Sequence, residues 1–302
     1  MPSKPSGCSS CGDRTCAAAG RKPDESPEEF AERQKLARNL CRIRHKLLVL
    51  SGKGGVGKST VAANLAAAMA AAGLRVGLLD VDFHGPSIPR LMGVEGQRAA
   101  TGPEETILPV RGAGGVLVMS MGLLMAEAEQ AVIWRGPLKM GVIRQLLRDT
   151  EWGELDCLVI DSPPGTGDEP LSVAQLVPDA DGALLVTTPQ DLATGDVRRS
   201  VTFCRQVGLE VLGVLENMSG FACPHCGKET PLFKRGGGKL LAEEMKAPYL
   251  GGVPLDPLVV ESSDEGRPFA IARGDSAAKS AFLAAAAPLI ELVKGNRARK
   301  EK

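Results

Sequence analysis

The chain is predicted to be an α/β protein: a doubly wound, mostly parallel sheet with helices on both faces. Three observations predict it. Short apolar runs recur at 46–50, 75–80, 116–119, 156–161, 182–187 and 210–215, with a weaker one at 248–253. Helix-like segments lie between several of them, at 59–72, 137–150, 195–207 and 237–246, and a last Ala-rich segment covers 276–294. The first run opens into a Gly-rich loop and two others end on acidic residues, at the carboxyl strand ends where such sheets bind ligands.

Taken in order, residues 1–45 read as a flexible Cys-bearing tail followed by a short charged helix over 27–44. The main domain is expected over 46–294, interrupted by an irregular insert at 221–235, and 295–302 reads as a charged, frayed terminus. No internal repeat is visible. With 43% hydrophobic but only 3% aromatic residues, the core must be mainly aliphatic. Lys plus Arg number 36 and Asp plus Glu number 36, which argues against a protein built to coat nucleic acid. No stretch is apolar enough to span a bilayer and no secretory signal core is present, so no membrane role is expected and the cytoplasm is the expected location.

The run Gly52-Lys53-Gly54-Gly55-Val56-Gly57-Lys58-Ser59-Thr60 follows a strand and opens a helix. That is the context of a phosphate-binding loop: glycines let the backbone amides curl toward an anion, and the helix adds its positive end. An ATP-type nucleotide is the expected ligand. Lys58 would reach its β- and γ-phosphates, and the Ser59 hydroxyl would take a place on Mg2+. Asp161, closing the apolar run 157–161, would bind the same ion directly or through water. The loop 162–168 follows as a candidate γ-phosphate sensor. Period-two geometry sends Asp80 and Asp82 to one face, where both would border the site. Lys53 is not needed for the cradle, and its charge so early in the loop implies a phosphate partner, its own or a neighbour's.

Eight cysteines are present. In a reducing compartment, close pairs point to metal or redox chemistry before disulfides. Cys223 and Cys226, spaced Cys-x-x-Cys, supply two thiolates where iron–sulfur clusters and structural zinc take four. Two copies across a two-fold axis would complete the set. An iron–sulfur cluster, a zinc site shared in trans and a redox dithiol all stay open on ligand type alone. Cys8, Cys11 and Cys16 form a second candidate metal set in the tail, beside the alternative that they have no function. Cys157 and Cys204 read as core residues, and Cys41 stands alone. His84, Met119, Met121, Met125, Met140 and the stretch Trp134-Arg135 read as packing, with an anion contact open to Arg135.

The loop at 52–60, Asp80-Val81-Asp82-Phe83-His84-Gly85-Pro86-Ser87, Asp161-Ser162-Pro163-Pro164-Gly165-Thr166-Gly167-Asp168 and Cys223-Pro224-His225-Cys226 together resemble the Mrp/ApbC family over about 46–292. These are iron–sulfur cluster carrier ATPases of the ParA/MinD superfamily. The resemblance implies a homodimer that hydrolyses ATP slowly and hands a cluster to apo iron–sulfur proteins. It also implies that Lys53 crosses to the partner's nucleotide and that Asp82 positions the attacking water. Asn217 and Pro254 would lie beside the adenine. One bridging 4Fe–4S cluster would sit on Cys223 and Cys226 of both chains. Cys8, Cys11 and Cys16 resemble an N-terminal cluster motif of eukaryotic-type members, whose first cysteine has no counterpart here. The competing reading is a ParA/MinD-like switch acting on DNA or a protein partner, with zinc on the Cys pair.

Overall fold

A computed structural model of the protein describes residues 20–21, 23–83, 85–124, 136–222 and 229–300. Its strands are β1 (Ile43–Ser51), β2 (Val76–Asp80), β3 (Ala100–Thr101), β4 (Ile107–Leu108), β5 (Val110–Arg111), β6 (Leu117–Ser120), β7 (Leu155–Asp161), β8 (Gly182–Thr187), β9 (Val211–Ala222), β10 (Glu229–Thr230) and β11 (Tyr249–Leu255). Its helices are α1 (Pro27–Leu40), α2 (Lys58–Ala71), α3 (Ile88–Leu91), α4 (Gly136–Asp149), α5 (Asp168–Leu176), α6 (Asp191–Gln206), α7 (Gly237–Glu244), α8 (Pro257–Asp264) and α9 (Ala277–Lys300).

The main sheet runs β10-β9-β8-β1-β7-β2-β6-β5, and β11 pairs with β9. The pairs from β9 to β6 are parallel, while β10 and β5 are antiparallel at the two edges. A parallel sheet must be covered on both faces, and alternation along β1 shows that it is. Leu47 and Val49 enter a layer with Met69 of α2 and Phe282 and Leu289 of α9. Leu48 and Leu50 enter the opposite layer with Ile143 and Leu147 of α4 and Val201 of α6. Burying each such side chain contributes about 1.5–3 kcal/mol before entropy is counted. Ala62, Ala63, Ala66 and Ala67 are fully buried, so α2 lies close on the sheet and has no polar face.

The chain leaves β1 toward β2 on one side and leaves β8 toward β9 on the other. Such a reversal opens a crevice at the carboxyl ends of the strands, and the Gly-rich loop after β1 lies in it.

Several boundaries differ from the sequence expectation. Helix α1 ends at Leu40, and β1 begins at Ile43, before the apolar run. Polar residues enter the strand because each finds a partner: His45 Nδ1 lies 2.9 Å from Asp181, and Lys46 Nζ lies 2.8 Å from Asp179. Strand β9 runs on past 215 into the first residues of the insert, where Phe221 and Ala222 pair with β10. Helix α9 continues to Lys300, beyond the expected end at 294.

Helix α1 is anchored to the domain. It begins with a Ser26–Glu29 capping box. Asn39 Nδ2 donates to the carbonyls of Leu147 (2.8 Å) and Thr150 (2.7 Å) at the end of α4, and Lys35 pairs with Asp149 at 2.9 Å.

Candidate functional site: a phosphate cradle over buried aspartates

Residues 52–57 turn between β1 and α2. Gly55 and Gly57 have φ of 77° and 80°, a region that glycine enters without strain. A Cβ on Gly57 would also lie 2.3 Å from Asn217 Nδ2. The loop therefore needs glycine there for both conformation and space. No side chain caps α2, which leaves its first amides for a ligand. Above them is a cavity of about 220 Å³, lined by Lys53, Gly54, Gly55, Gly57, Lys58, Ser59 and Thr60, with Ser51, Asp82, Ser87 and Pro164 around them.

A charged layer lies beneath. Lys58 is only 6% exposed, and its ammonium donates to Asp161 Oδ1 at 2.5 Å, with Asp82 Oδ2 3.7 Å away. Asp80 accepts from the Asp82 amide (3.0 Å) and the Ser120 hydroxyl (2.9 Å). Burial, then the charge of Asp161, pushes the Asp80 carboxyl up to about 8. Burial also raises Asp161, opposed by the charge of Lys58. Asp161 Oδ2 and Ser162 Oγ are buried with no hydrogen-bond partner among the described residues. Within this group three carboxylates face one ammonium, an arrangement that burial alone makes costly.

The loop at 162–167 is tied to β1: the Ser162 amide donates to Val49 O (3.2 Å) and the Gly165 amide to Ser51 O (2.8 Å). This holds Pro164 at the cavity wall. Asn217 Nδ2 donates to Val56 O at 3.0 Å, and Val253 pairs with Asn217, which puts Pro254 beside it. Neither Asn217 nor Pro254 lines the cavity.

The structure thus gathers Lys53, Gly54, Gly55, Gly57, Lys58, Ser59, Thr60 and Asp82 around one cavity. Gly52 and Val56 stand behind it: a Cβ on Gly52 would overlap the Asp196 backbone, and Val56 is buried. Asp80 does not border the cavity as expected. It closes the strand one layer below, because Ser120 and the Asp82 amide hold it there. Lys53 is half-buried at the rim, and its ammonium makes no ion pair among the described residues. Cys157 and Cys204 are core residues whose thiols burial raises, Cys204 to about 12. Cys8, Cys11, Cys16, Cys223, Cys226, His84, Met125, Trp134 and Arg135 lie outside the described residues.

Sequence reasoning missed Ser120, which lies on a strand with no motif of its own, and Glu216, which reads as an ordinary strand residue. The carboxylate of Glu216 is fully buried and accepts from Ser219 Oγ (2.5 Å) and the amides of Gly236 (2.9 Å) and Gly238 (2.6 Å).

A strand, a Gly-rich turn, an uncapped helix and a buried lysine–aspartate pair define a P-loop nucleotide-binding protein. The family model described as NUBPL iron-transfer P-loop NTPase, of the ParA group, matches residues 42–290, and the chain belongs to that family. It is 44% identical over 283 residues to an iron-sulfur cluster carrier protein of Methanocaldococcus jannaschii, covering 94% of this chain and 97% of that one. It is 50% identical over 235 residues to the human cytosolic Fe-S cluster assembly factor NUBP2, covering 76% and 86%. Among solved structures it resembles a nucleotide-binding protein of Archaeoglobus fulgidus in complex with ADP, at 42% identity and TM-score 0.69, covering 78% and 92%. It also resembles the cell division ATPase MinD of Pyrococcus furiosus, at 25% identity and TM-score 0.58, covering 82% and 99%. No helix among the described residues is long and apolar enough to cross a membrane.

Proposed function

We propose that this protein is a homodimeric ATPase of the cytosol that binds an iron–sulfur cluster and passes it to apo-proteins. The observation that carries the nucleotide half is the cavity over Lys58, where loop amides, the α2 N-terminus and an ammonium converge on one anion-sized space. The cargo half is supported by the family and by relatives named as cluster carriers and assembly factors.

In the cradle, Lys58 neutralises the terminal phosphates and shares its ammonium between them and Asp161. The donor set fits Mg2+: Ser59 Oγ and Asp161 Oδ2, which has no hydrogen-bond partner among the described residues, are hard oxygen ligands at the base of the site. Bound there, the ion would neutralise phosphate charge. Asp82 lines the cavity, and in this reading it orients the attacking water. Lys53, at the rim, reaches the nucleotide of the facing protomer. Asn217 and Pro254 border the adenine end. Cys223 and Cys226 of two chains supply four thiolates to a 4Fe–4S cluster, with Cys8, Cys11 and Cys16 as a second cluster site.

The test is anaerobic purification and reconstitution with iron and sulfide, reading visible absorbance and iron per chain. Wild type should gain iron and cluster absorbance, and Cys223→Ala/Cys226→Ala should lose the bridging share. A double variant that retains all its iron rejects the bridging site. Deleting residues 1–20 should lower iron further if the tail cysteines hold a cluster.

A further inference from the structure

Strand β9 touches both the phosphate loop and the insert that carries Cys223 and Cys226, and it does so through an irregularity. Between the pairs Val253↔Asn217 and Leu255↔Phe221, β9 has four residue steps where β11 has two. The extra residues form a bulge at 218–220, where Met218 has φ of 57° and Gly220 has φ of 81°. A left-handed backbone at a methionine is uncommon and persists only where its surroundings fix it.

The bulge breaks strand alternation in a specific way. In a regular strand Asn217 and Met218 would point to opposite faces. Here both reach Gly57 of the phosphate loop: Asn217 Nδ2 donates to Val56 O, and Met218 Cε lies 4.0 Å from where a Gly57 Cβ would stand. Glu216 and Ser219 fall together on the other side. Ser219 Oγ donates to the Glu216 carboxylate, which also takes the Gly236 and Gly238 amides at the start of α7. Gly237 and Gly238 permit that approach, because a Cβ on Gly237 would lie 2.4 Å from Pro189 O and one on Gly238 would lie 3.1 Å from the Glu216 Cβ. One four-residue stretch thus leans on the nucleotide loop with one side and grips α7 with the other. The hairpin root Phe221↔Thr230 follows directly.

We infer that Glu216 is the latch of a coupling device: nucleotide in the cradle fixes Asn217 and Met218, which tightens the Glu216 grip on α7 and on Ser219, two residues before the β9–β10 pairing at Phe221. Regulation of the cargo site by this route rests on the function proposed above. The latch itself rests only on nucleotide binding in the cradle and not on the cargo.

Hydrogen exchange on iron-free wild-type protein, with and without Mg-ADP, tests it. Exchange at the Gly236 and Gly238 amides should slow by about fivefold or more when nucleotide binds, as a coupling of ordinary size requires. No slowing, or a faster exchange, overturns the latch. Glu216→Gln keeps the shape but removes the charged acceptor. It should abolish the nucleotide-dependent slowing and, because coupling is reciprocal, weaken Mg-ADP binding by no more than the factor by which nucleotide slows exchange in wild type. Retained slowing in that variant assigns the coupling elsewhere and rejects Glu216. Because iron is absent throughout, these outcomes are independent of whether the Cys pair holds a cluster. Iron retention by Cys223→Ala/Cys226→Ala would sink the cargo reading and leave the latch result standing.

Discussion

The two ends of the central sheet use the same residue types and reach opposite electrostatic outcomes. At the amino ends of the strands the carboxylates Asp149, Asp156 and Asp181 are each held by charged or hydrogen-bonding partners. Asp156 is held by Arg75 and Arg44, Asp181 by His45 and the Lys46 amide, and Asp149 by Arg148 and Lys35. All three carboxyls sit below the usual range, because these partners outweigh the burial that would raise them. At the carboxyl ends Asp80, Asp82 and Asp161 gather around Lys58, burial wins, and Asp80 and Asp161 rise. The comparison teaches how to tell a structural charge from a functional one in this fold. The staple is complete by itself, whereas the site leaves an oxygen of Asp161 without a donor among the described residues.

The strongest way to break that contrast is Lys58→Ala. Removing the one ammonium from the carboxylate group should cost ~2–5 kcal/mol in nucleotide binding, a loss of about 30-fold or more. Titration with a fluorescent ADP analogue measures it, and wild-type affinity in the variant would show that the cradle does not depend on Lys58.

Next in size is a matched pair of substitutions. Asp156→Asn removes an acceptor that holds two arginines and should lower unfolding stability by ~1–3 kcal/mol. Asp80→Asn removes a buried charge beside Asp161 and keeps an acceptor for the Asp82 amide. In nucleotide-free protein at pH 8 it should be neutral or stabilising by up to ~1 kcal/mol. Urea denaturation of both decides, and equal losses would erase the distinction between the two ends.

The pH dependence sharpens the same point. Asp80 titrates at about 8 when folded and near 3.9 when unfolded, so between those values the folded state holds the extra proton. Its stabilisation is complete below pH 4 and is lost as pH rises toward 8, at up to about 1.4 kcal/mol per pH unit. Asp149, Asp156 and Asp181 act in the opposite sense. Their stabilisation is present above the unfolded value and disappears as pH falls through their depressed folded values. Urea midpoints of nucleotide-free protein should therefore decline from pH 5 to pH 8, and Asp80→Asn should flatten the decline. A slope that Asp80→Asn leaves unchanged would mean that Asp80 is ionised throughout.

The smallest effect on binding is expected from Lys53→Ala. Lys53 stands at the rim, so its loss should change nucleotide affinity by no more than about threefold, an exposed-contact amount. Turnover should fall by about tenfold or more if Lys53 meets the facing protomer's phosphates. Unchanged turnover would remove it from the site.

Much of this was legible in the residues. The apolar runs and Gly52 to Thr60 carried the sheet, the loop and Lys58, because strand burial and a phosphate turn both demand particular residues at fixed spacing. Asp82 was placed by the same period-two reasoning that misplaced Asp80, since alternation gives a face and not a depth. The extension of β1 through His45 and Lys46 was hidden because a polar residue enters a buried strand only if its partner arrives, and Asp181 and Asp179 are more than 130 positions away. Asn39, which joins α1 to the end of α4, was hidden for the same reason.

The amino-acid sequence by itself determined the doubly wound class and the phosphate loop, because both are local: a few consecutive residues fix the strand, the turn and the helix start. Only the tertiary structure decided which carboxylates share the Lys58 ammonium and which are stapled at the far end. It alone also showed that the β9 bulge turns Asn217 and Met218 toward the loop while Glu216 holds α7. Charge balance and burial are sums over residues that the chain brings together from far apart, and a residue's type does not carry that sum.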